Sequence, residues 1–193
     1  MNAVSALRPA MEIIKKISTS LQGVFILEPR VFGDERGFFF ESYNQQSLAE
    51  IGITEQFVQD NHSCSARNVL RGLHYQVKHP QGKLVRVVEG EILDVAVDLR
   101  RSSPSFGRWE AVRLSGENKR MLWIPAGLAH GFAVHSEKAH VLYKATDFYA
   151  PEHERTLAWN DPDLKINWEL DGEPLVSAKD QRGVKFRDAE RFD

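Results

Sequence analysis

The sequence of 193 residues contains a single cysteine, Cys64, and this scarcity limits what can hold the fold together. One thiol cannot form a disulfide within the chain, and it cannot supply a cysteine-rich zinc site. The sequence also lacks an apolar run near the roughly 18 residues that a membrane span requires. Its N-terminus lacks the basic start and apolar core of a signal peptide. These absences predict a cytoplasmic protein with no membrane partner.

Neither sign of charge is in excess. Lysine and arginine total 25 against 27 acidic residues, which gives a formal net charge of -2 at pH 7. Without an overall basic field the chain is not expected to bind nucleic acid, and any anion that it binds must meet a local group of cations. No shift in composition marks a second domain, and the sequence has no internal repeats. We therefore expect a single domain over residues 1–193, with residues 1–10 as a loose N-terminal extension.

What the sequence does contain is a series of short alternating segments separated by turn residues. Residues 83–98 are rich in β-branched side chains and are broken at Glu89-Gly90-Glu91, which predicts two strands and a turn. More strands are predicted near residues 109–114, 121–124 and 139–146, with no crossover helix between them. This pattern is typical of an antiparallel sandwich or barrel, around which residues 151–193 wrap as loops and short helical turns.

The first half of the chain carries two further structural predictions. Residues 44–52 predict a short helix, capped by Asn44 or Ser47 and ended by Gly52. In the strand predicted near residues 56–63, Gln59 and Asn61 are expected to share a face, because strand side chains repeat every two residues.

A run of three phenylalanines follows a predicted hairpin turn at residues 33–37. Its simplest interpretation is a buried strand. Because Arg36 and Glu41 flank the run with opposite charges, the rim of a ligand site is the alternative.

Residues 71–76, Arg-Gly-Leu-His-Tyr-Gln, concentrate the groups that a proton-transfer site needs. His74 is a base suited to neutral pH, Arg71 is a permanent cation, and Gly72 permits a close approach within a strand. Downstream, Pro125 and Gly127 predict a tight turn that leads to His130. We expect these two stretches to face one cavity, whereas the other histidines are interpreted as structural.

The histidines match a common barrel metal site only in part. Such sites use two histidines one residue apart, a carboxylate, and a histidine after a Pro-x-Gly turn. Here Gln76 stands two positions after His74, and the next charged residue past the Gln81-Gly82 turn is Lys83. Because a cation repels a divalent metal, neither a metal nor another cofactor is expected. A histidine base, a carboxylate, a lysine and a tyrosine instead fit proton abstraction next to a carbonyl.

Separated motifs along residues 11–183 carry a resemblance to one enzyme family. They are Arg36-Gly37-Phe38-Phe39, Gln59-Asp60-Asn61, residues 71–76, residues 81–87, residues 103–107, residues 123–132, Tyr143-Lys144-Ala145-Thr146 and Ala178-Lys179-Asp180. Through them the sequence resembles the dTDP-4-dehydrorhamnose 3,5-epimerases, cupin-like jelly-roll barrels that act on a nucleotide-linked 4-keto-6-deoxyhexose. The segment before Met11 and the loop at residues 77–80 have no counterpart in the resemblance.

The resemblance implies a role for each matched catalytic position. His74 falls at the family's base, and Asp180 falls at the carboxylate that pairs with it. Lys83 matches the residue near the keto oxygen, and Tyr143 matches the proton donor on the opposite face of the sugar. Inversion of a carbon requires such opposed faces.

The resemblance also implies the substrate contacts and a dimer. Groups around the diphosphate are matched by Arg71, His130 and Lys179, and an aromatic that stacks on thymine is matched by Tyr149. Other substrate-binding positions are matched by Arg36, Glu41, Gln59, Asp60, Asn61, Lys83 and Glu154. The family forms homodimers that exchange an N-terminal strand, so Arg36 and Glu41 are expected to serve the partner's site.

The leading hypothesis is therefore epimerisation of dTDP-4-dehydro-6-deoxy-D-glucose at carbons 3 and 5, in the biosynthesis of dTDP-L-rhamnose. An epimerase for a single carbon would keep much the same residues. A non-catalytic sugar-nucleotide-binding barrel would keep the phosphate anchors but lose the histidine, lysine or tyrosine. A metal-dependent cupin oxygenase would require a bound metal.

Overall fold

A computed structural model describes residues 13–193, and antiparallel strands dominate it. The predicted extension at residues 1–10 lies outside the described part. The strands are β1 (Ile14–Ser18), β2 (Phe25–Pro29), β3 (Phe32–Asp34), β4 (Gly37–Phe39), β5 (Gln59–Ala66), β6 (Val69–Gln76), β7 (Lys83–Glu89), β8 (Glu91–Asp98), β9 (Trp109–Ser115), β10 (Met121–Ile124), β11 (Leu128–Val134), β12 (Lys138–Ala145), β13 (Glu154–Thr156) and β14 (Leu175–Val176). The α-helix α1 covers Gln45–Glu50, and 3-10 helices cover Pro151–His153, Asp180–Arg182 and Phe186–Asp188.

Two sheets form the barrel. The first has the strand order β1-β2-β10-β7-β12-β5, and the second has the order β13-β6-β11-β8-β9, with β14 parallel to β6. The remaining pairs are antiparallel, which confirms the predicted mainly β, antiparallel jelly-roll class. The strands predicted within residues 83–98 are confirmed, but β7 and β8 belong to different sheets. The turn at Gly90 carries the chain between them, and a Cβ there would lie 2.1 Å from the carbonyl oxygen of Lys138.

The alternation of side chains divides the apolar residues of β8 between two cores. Ile92 and Ala96 point between the sheets, where they pack against Val85 and Val141. Leu93, Val95 and Val97 point to the opposite face, which the C-terminal segment covers with residues that include Leu157 and Trp168. Since each fully buried aliphatic side chain contributes about 1.5–3 kcal/mol, these two layers fix the barrel on which the polar residues are mounted.

The segment before β5 contains two predictions that are confirmed and one that is wrong. Asn44 caps α1 by accepting hydrogen bonds from the backbone N–H groups of Gln46 and Ser47, as the sequence predicts. The hairpin at the phenylalanine run is also present, as β3 and β4. Its burial was predicted wrongly, because Phe38 is 62% exposed and Phe39 is 71% exposed. Among residues 13–193 the two strands pair only with each other.

No helix among residues 13–193 has both the length and the apolar character needed to cross a membrane.

Candidate active site

A cleft of about 60 Å³ lies where β6, β7, β12 and β13 come together. It is lined by His74, Tyr75, Gln76, Gln81, Lys83, Tyr143, Tyr149 and Glu154. The structure therefore brings together several of the residues singled out from the sequence, although they are spread over residues 74–154. Antiparallel pairing does this, because β7 and β12 align Lys83 with Ala145 while β6 and β13 align Gln76 with Glu154.

His74 and Asp180 form a hydrogen-bonded pair at this cleft. The imidazole Nε2 lies 2.5 Å from Asp180 Oδ1, and the other carboxylate oxygen accepts a bond of 3.3 Å from the Gly72 N–H. Asp180 is only 3% exposed. Burial would raise the pKa of this carboxyl, but the bond and charge of His74 and the Gly72 bond outweigh it, and the pKa is lowered. An ionised Asp180 orients the ring and leaves Nδ1 as the nitrogen available to take a proton.

Gly72 permits the close packing of β6 on β11 beside this pair. A Cβ at Gly72, where φ is +117°, would lie 2.5 Å from Gly131 Cα and 2.8 Å from the carbonyl oxygen of His130. A side chain there would push the strands apart. The close contact places His74 directly opposite His130 in the register of the two strands.

Lys83 is a buried cation at the base of the cleft. It is 9% exposed, and burial lowers the pKa of its ammonium to about 8, against the opposing effects of Asp94 and Glu154. Within the described residues its Nζ has no carboxylate partner inside 4.0 Å, and the ring of Tyr143 is centred 6.0 Å away. A desolvated cation without a paired anion favours a ligand that brings negative charge.

Beneath the cleft, His130 is paired with Asp94, a residue that the sequence analysis missed. His130 Nε2 lies 2.9 and 3.0 Å from the two oxygens of Asp94, and both residues are buried. Burial lowers the pKa of His130 despite the opposing effect of Asp94. The available signal was a carboxylate inside the apolar strand β8, on the face that points between the sheets.

The remaining cations stand at the mouth of the cleft. Lys179 Nζ pairs with Glu154 Oε1 at 2.8 Å, while the Tyr149 hydroxyl donates to Glu154 Oε2, also at 2.8 Å. Arg71 donates through Nε to Ser65 Oγ at 3.0 Å, and its positive charge acts to lower the pKa of Tyr143. Burial, followed by the charge of Glu154, raises the pKa of Tyr143 despite Arg71. Tyr143 is therefore protonated at neutral pH and can donate a proton.

The three residues of β5 that were predicted to contact the substrate lie on the two opposite faces of the strand. Gln59 and Asn61 share a face as expected, with Gln59 Nε2 donating to Asn61 Oδ1 at 3.0 Å. Asn61 Nδ2 is buried with no hydrogen-bond partner in the described part of the chain. Asp60 lies on the other face, where it pairs with Lys144 at 3.0 Å in a separate groove of about 210 Å³. Strand alternation thus keeps Asp60 out of the cleft.

Arg36 and Glu41 do not line the cleft either. Arg36 lies in the exposed hairpin and is bonded to Asp34. Glu41 accepts hydrogen bonds from Ser47 Oγ at 2.8 Å and from Asn44 Nδ2 at 2.9 Å, so it supports the start of α1.

Within residues 13–193, no group of three or more histidine, cysteine, aspartate or glutamate side chains has an arrangement that could hold a metal ion. The positive charge at the cleft comes from Lys83, Lys179 and Arg71.

Comparisons with known proteins identify the family to which the chain is similar. Residues 18–188 match the family model for dTDP-4-dehydrorhamnose 3,5-epimerase. The dTDP-4-dehydrorhamnose 3,5-epimerase of Pseudomonas aeruginosa is 62% identical over 93% of this chain and 99% of its own. The crystal structure of a 3,5-epimerase from Legionella pneumophila in complex with dTDP-4-keto-L-rhamnose is 49% identical, with a TM-score of 0.89 over 92% of this chain and 95% of its own.

A more distant structure has a narrower activity in its name. It is ChmJ, a 3'-monoepimerase from Streptomyces bikiniensis in complex with dTDP-quinovose, which is 34% identical with a TM-score of 0.82 over 88% of this chain and 86% of its own. The match of the family model over most of the chain, together with the identity to the Pseudomonas relative, shows that this chain belongs to the dTDP-4-dehydrorhamnose 3,5-epimerase family.

Proposed function

We propose that this protein is an isomerase that converts dTDP-4-dehydro-6-deoxy-D-glucose to dTDP-4-dehydro-L-rhamnose by inverting carbons 3 and 5. The observation that carries the proposal is the convergence of the His74–Asp180 pair, the unpaired Lys83 and the protonated Tyr143 on one cleft. These are the groups that abstraction and return of a proton next to a ketone require.

In the proposed mechanism His74 removes the proton from the carbon beside the keto group. The electron pair of the broken C–H bond forms the enolate, whose oxygen gains negative charge next to Lys83. Asp180 stabilises the imidazolium that results. Tyr143 then donates its proton to the same carbon from the opposite face, which inverts it. Before the next step the imidazolium releases its proton to solvent and the phenolate takes one from solvent, so both groups return to their starting states.

The nucleotide part of the substrate is proposed to occupy the mouth of the cleft. Arg71 and Lys179 supply charge-assisted hydrogen bonds to the diphosphate, with His130 behind them. Tyr149 is 52% exposed, so its ring is accessible for stacking on the base. Asn61 supports the proposal because its buried Nδ2 is a free donor on the inner face of β5, while Gln59 and Glu154 complete the set.

We further propose that one domain spans the chain and that it works in the cytoplasm as a homodimer. The exposed Phe38 and Phe39 support the dimer, because a soluble monomer gains nothing from presenting two phenylalanines on an isolated hairpin. Exchange of the N-terminal strands would bring Arg36 and Glu41 to the partner's cleft, since neither reaches the cleft of its own protomer.

A single-carbon epimerase is the second candidate, and the fold shared with the 3'-monoepimerase supports it. A non-catalytic binding barrel accounts poorly for a base, an acid and a buried cation around one cleft.

The product formed in deuterated water tests the proposal. We expect NMR to show dTDP-4-dehydro-L-rhamnose with deuterium at both carbons 3 and 5. Deuterium and inversion at one carbon only would establish the single-carbon epimerase, and a failure to exchange either proton would contradict both enzymatic candidates.

Replacing Arg71 by alanine is expected to weaken the binding of dTDP by about 10- to 100-fold, because a hydrogen bond to a charged group contributes about 1.5–3 kcal/mol. Isothermal titration calorimetry with dTDP measures this. Arg113→Ala is the matched control, because Arg113 pairs with Glu91 and Glu169 on the far side of β9. If wild-type protein does not bind dTDP, or if both variants bind it equally well, the anchoring scheme is wrong.

Replacing Asp180 by asparagine is expected to lower kcat by about 10- to 100-fold, because the partly buried imidazolium loses a charged partner at hydrogen-bond distance. Steady-state kinetics compares it with Asp161→Asn, in which a buried aspartate that caps backbone N–H groups far from the cleft is changed. A kcat equal to that of the wild type in Asp180→Asn would contradict the role of the pair.

A further inference from the structure

Three glutamine side chains hold the backbone of the segment that carries Tyr149. Gln81 Nε2 donates to the carbonyl oxygen of Asp147 at 2.8 Å, and Gln76 Nε2 donates to that of Phe148 at 3.2 Å. The Tyr149 N–H donates to Gln59 Oε1 at 2.9 Å, and the Ala150 N–H donates to Gln76 Oε1 at 2.9 Å. The glutamines come from β5, from β6 and from the turn before β7, so three separate parts of the barrel converge on one short segment.

The segment has few other means of holding its shape. Residues 147–150 follow the end of β12 and belong to no strand. The Phe148 N–H is satisfied locally by Asp147 Oδ1 at 2.8 Å, but the next two N–H groups depend on glutamine side chains. Since backbone groups in an irregular segment need partners to keep one conformation, these amides decide where the Tyr149 ring stands.

Gln76 uses both of its amide N–H groups and its amide oxygen to bond backbone groups. It is buried, its two N–H donors reach the carbonyl oxygens of Phe148 and His79, and its oxygen accepts from Ala150. Through the bond to His79 it also holds the loop at residues 77–80, which has no counterpart among the family motifs. Although Gln76 and Gln81 line the cleft, their polar atoms face the protein backbone, which argues against a direct role in the chemistry.

We propose that Gln76 and Gln81 are positioning residues that fix Tyr149 as a stacking surface for the nucleotide base. They thereby set the affinity for the nucleoside part of the substrate separately from the affinity for the diphosphate. This inference rests on the proposed function, in which the Tyr149 ring stacks on the nucleotide base. It adds which side chains hold the ring in place and that their loss lowers the affinity for the nucleoside.

The test compares dTDP with inorganic pyrophosphate, a probe that has the charge but lacks the base. By calorimetry, Gln81→Ala is expected to weaken dTDP binding about 3- to 10-fold, the effect of one hydrogen bond, and to leave pyrophosphate binding unchanged. Tyr149→Ala is expected to weaken dTDP binding about 10-fold through the lost stacking. If Gln81 acts through Tyr149, adding Gln81→Ala to Tyr149→Ala produces little further loss. In steady-state kinetics Gln81→Ala is expected to raise KM and retain kcat, because the lost contact stabilises the bound substrate and the transition state equally.

Two comparisons keep the result interpretable. Gln46→Ala changes an exposed glutamine of α1 and is expected to leave both affinities unaltered. Gln81→Glu keeps the length of the side chain but loses the donor, so it repeats the test if the alanine variant does not fold. The inference is overturned if dTDP and pyrophosphate weaken equally, if the two substitutions weaken dTDP binding additively, or if Gln81→Ala binds dTDP like the wild type.

The inference and the proposed function fail in different ways. A wild-type protein that binds dTDP but catalyses no isomerisation contradicts the proposed function and leaves the positioning of Tyr149 open to the same binding test. The inference alone is contradicted if the wild-type protein isomerises the sugar but Gln81→Ala leaves the ratio of dTDP affinity to pyrophosphate affinity unchanged.

Discussion

Replacing His74 by alanine is expected to abolish turnover and, with it, the uptake of solvent deuterium at carbons 3 and 5. A positioned general base contributes about 10²- to 10⁴-fold, and the cleft offers no evident replacement. Asp180 is buried and also accepts a bond from the Gly72 N–H. Glu154, the carboxylate that lines the cleft, is engaged by Lys179 and by the Tyr149 hydroxyl, and these bonds contribute to a pKa that is lowered despite burial. A carboxylate held in this way is a weak base towards a C–H bond.

Removing the acid is expected to give a different result. In Tyr143→Phe the enolate still forms, and His74 can return a proton to the face from which it was taken. That return restores the starting configuration while it introduces deuterium from the solvent. Exchange is therefore expected to outlast net inversion in Tyr143→Phe, which NMR of the recovered substrate detects.

A second tyrosine of the cleft provides the control for this prediction. The Tyr75 hydroxyl donates to the carbonyl oxygen of Glu190 at 2.9 Å, and burial is the main cause that raises its pKa to about 12. Tyr75→Phe is therefore expected to retain both exchange and inversion. If Tyr143→Phe loses exchange and inversion in equal proportion, or if His74→Ala still exchanges at both carbons, the assignment of base and acid must be abandoned.

Much of the fold follows from local sequence patterns, because alternation and turn residues act over only a few positions. The strands on either side of Gly90 and the helix capped by Asn44 are clear examples. The assignment of β7 and β8 to different sheets was not accessible in this way. Which strand pairs with which depends on contacts distant in sequence, and the alternation in residues 83–98 is the same for a hairpin and for a change of sheet.

The site shows the same limit. His74, Tyr143 and Asp180 were singled out through motifs, but the motifs do not tell what lies behind a residue, and Asp94 was missed because its partner His130 is 36 residues away. Motif membership also grouped Asp60 with its neighbours, although strand alternation sends it to the other face. The phenylalanine run was interpreted as buried because an apolar pattern does not tell whether another part of the same chain covers it.

The rate of the wild-type enzyme is expected to fall as the pH rises through about 8, because Lys83 then loses its proton. Burial lowers the pKa of this lysine to about 8, and only the charged form can stabilise the enolate oxygen. Tyr143 does not account for a limb at this pH, since its pKa is raised by burial and the phenol stays protonated. This alkaline limb of the pH profile is expected in kcat/KM, because kcat/KM reflects the pKa values of groups in the free enzyme. In kcat it moves to higher pH, because the bound diphosphate favours the charged lysine.

Two variants of Lys83 separate its charge from its shape. Lys83→Met removes the cation and is expected to reduce kcat by about 10²- to 10³-fold and to abolish the alkaline limb. Lys83→Arg keeps a charge that is not titrated near neutral pH, so whatever activity it retains is expected to persist above the wild-type limb. Dialysis of the wild type against a chelator is expected to leave the rate unchanged, because the lysine supplies the positive charge. If the limb persists in Lys83→Met, or if chelation stops the wild type and a divalent ion restores it, Lys83 is not the group that stabilises the enolate.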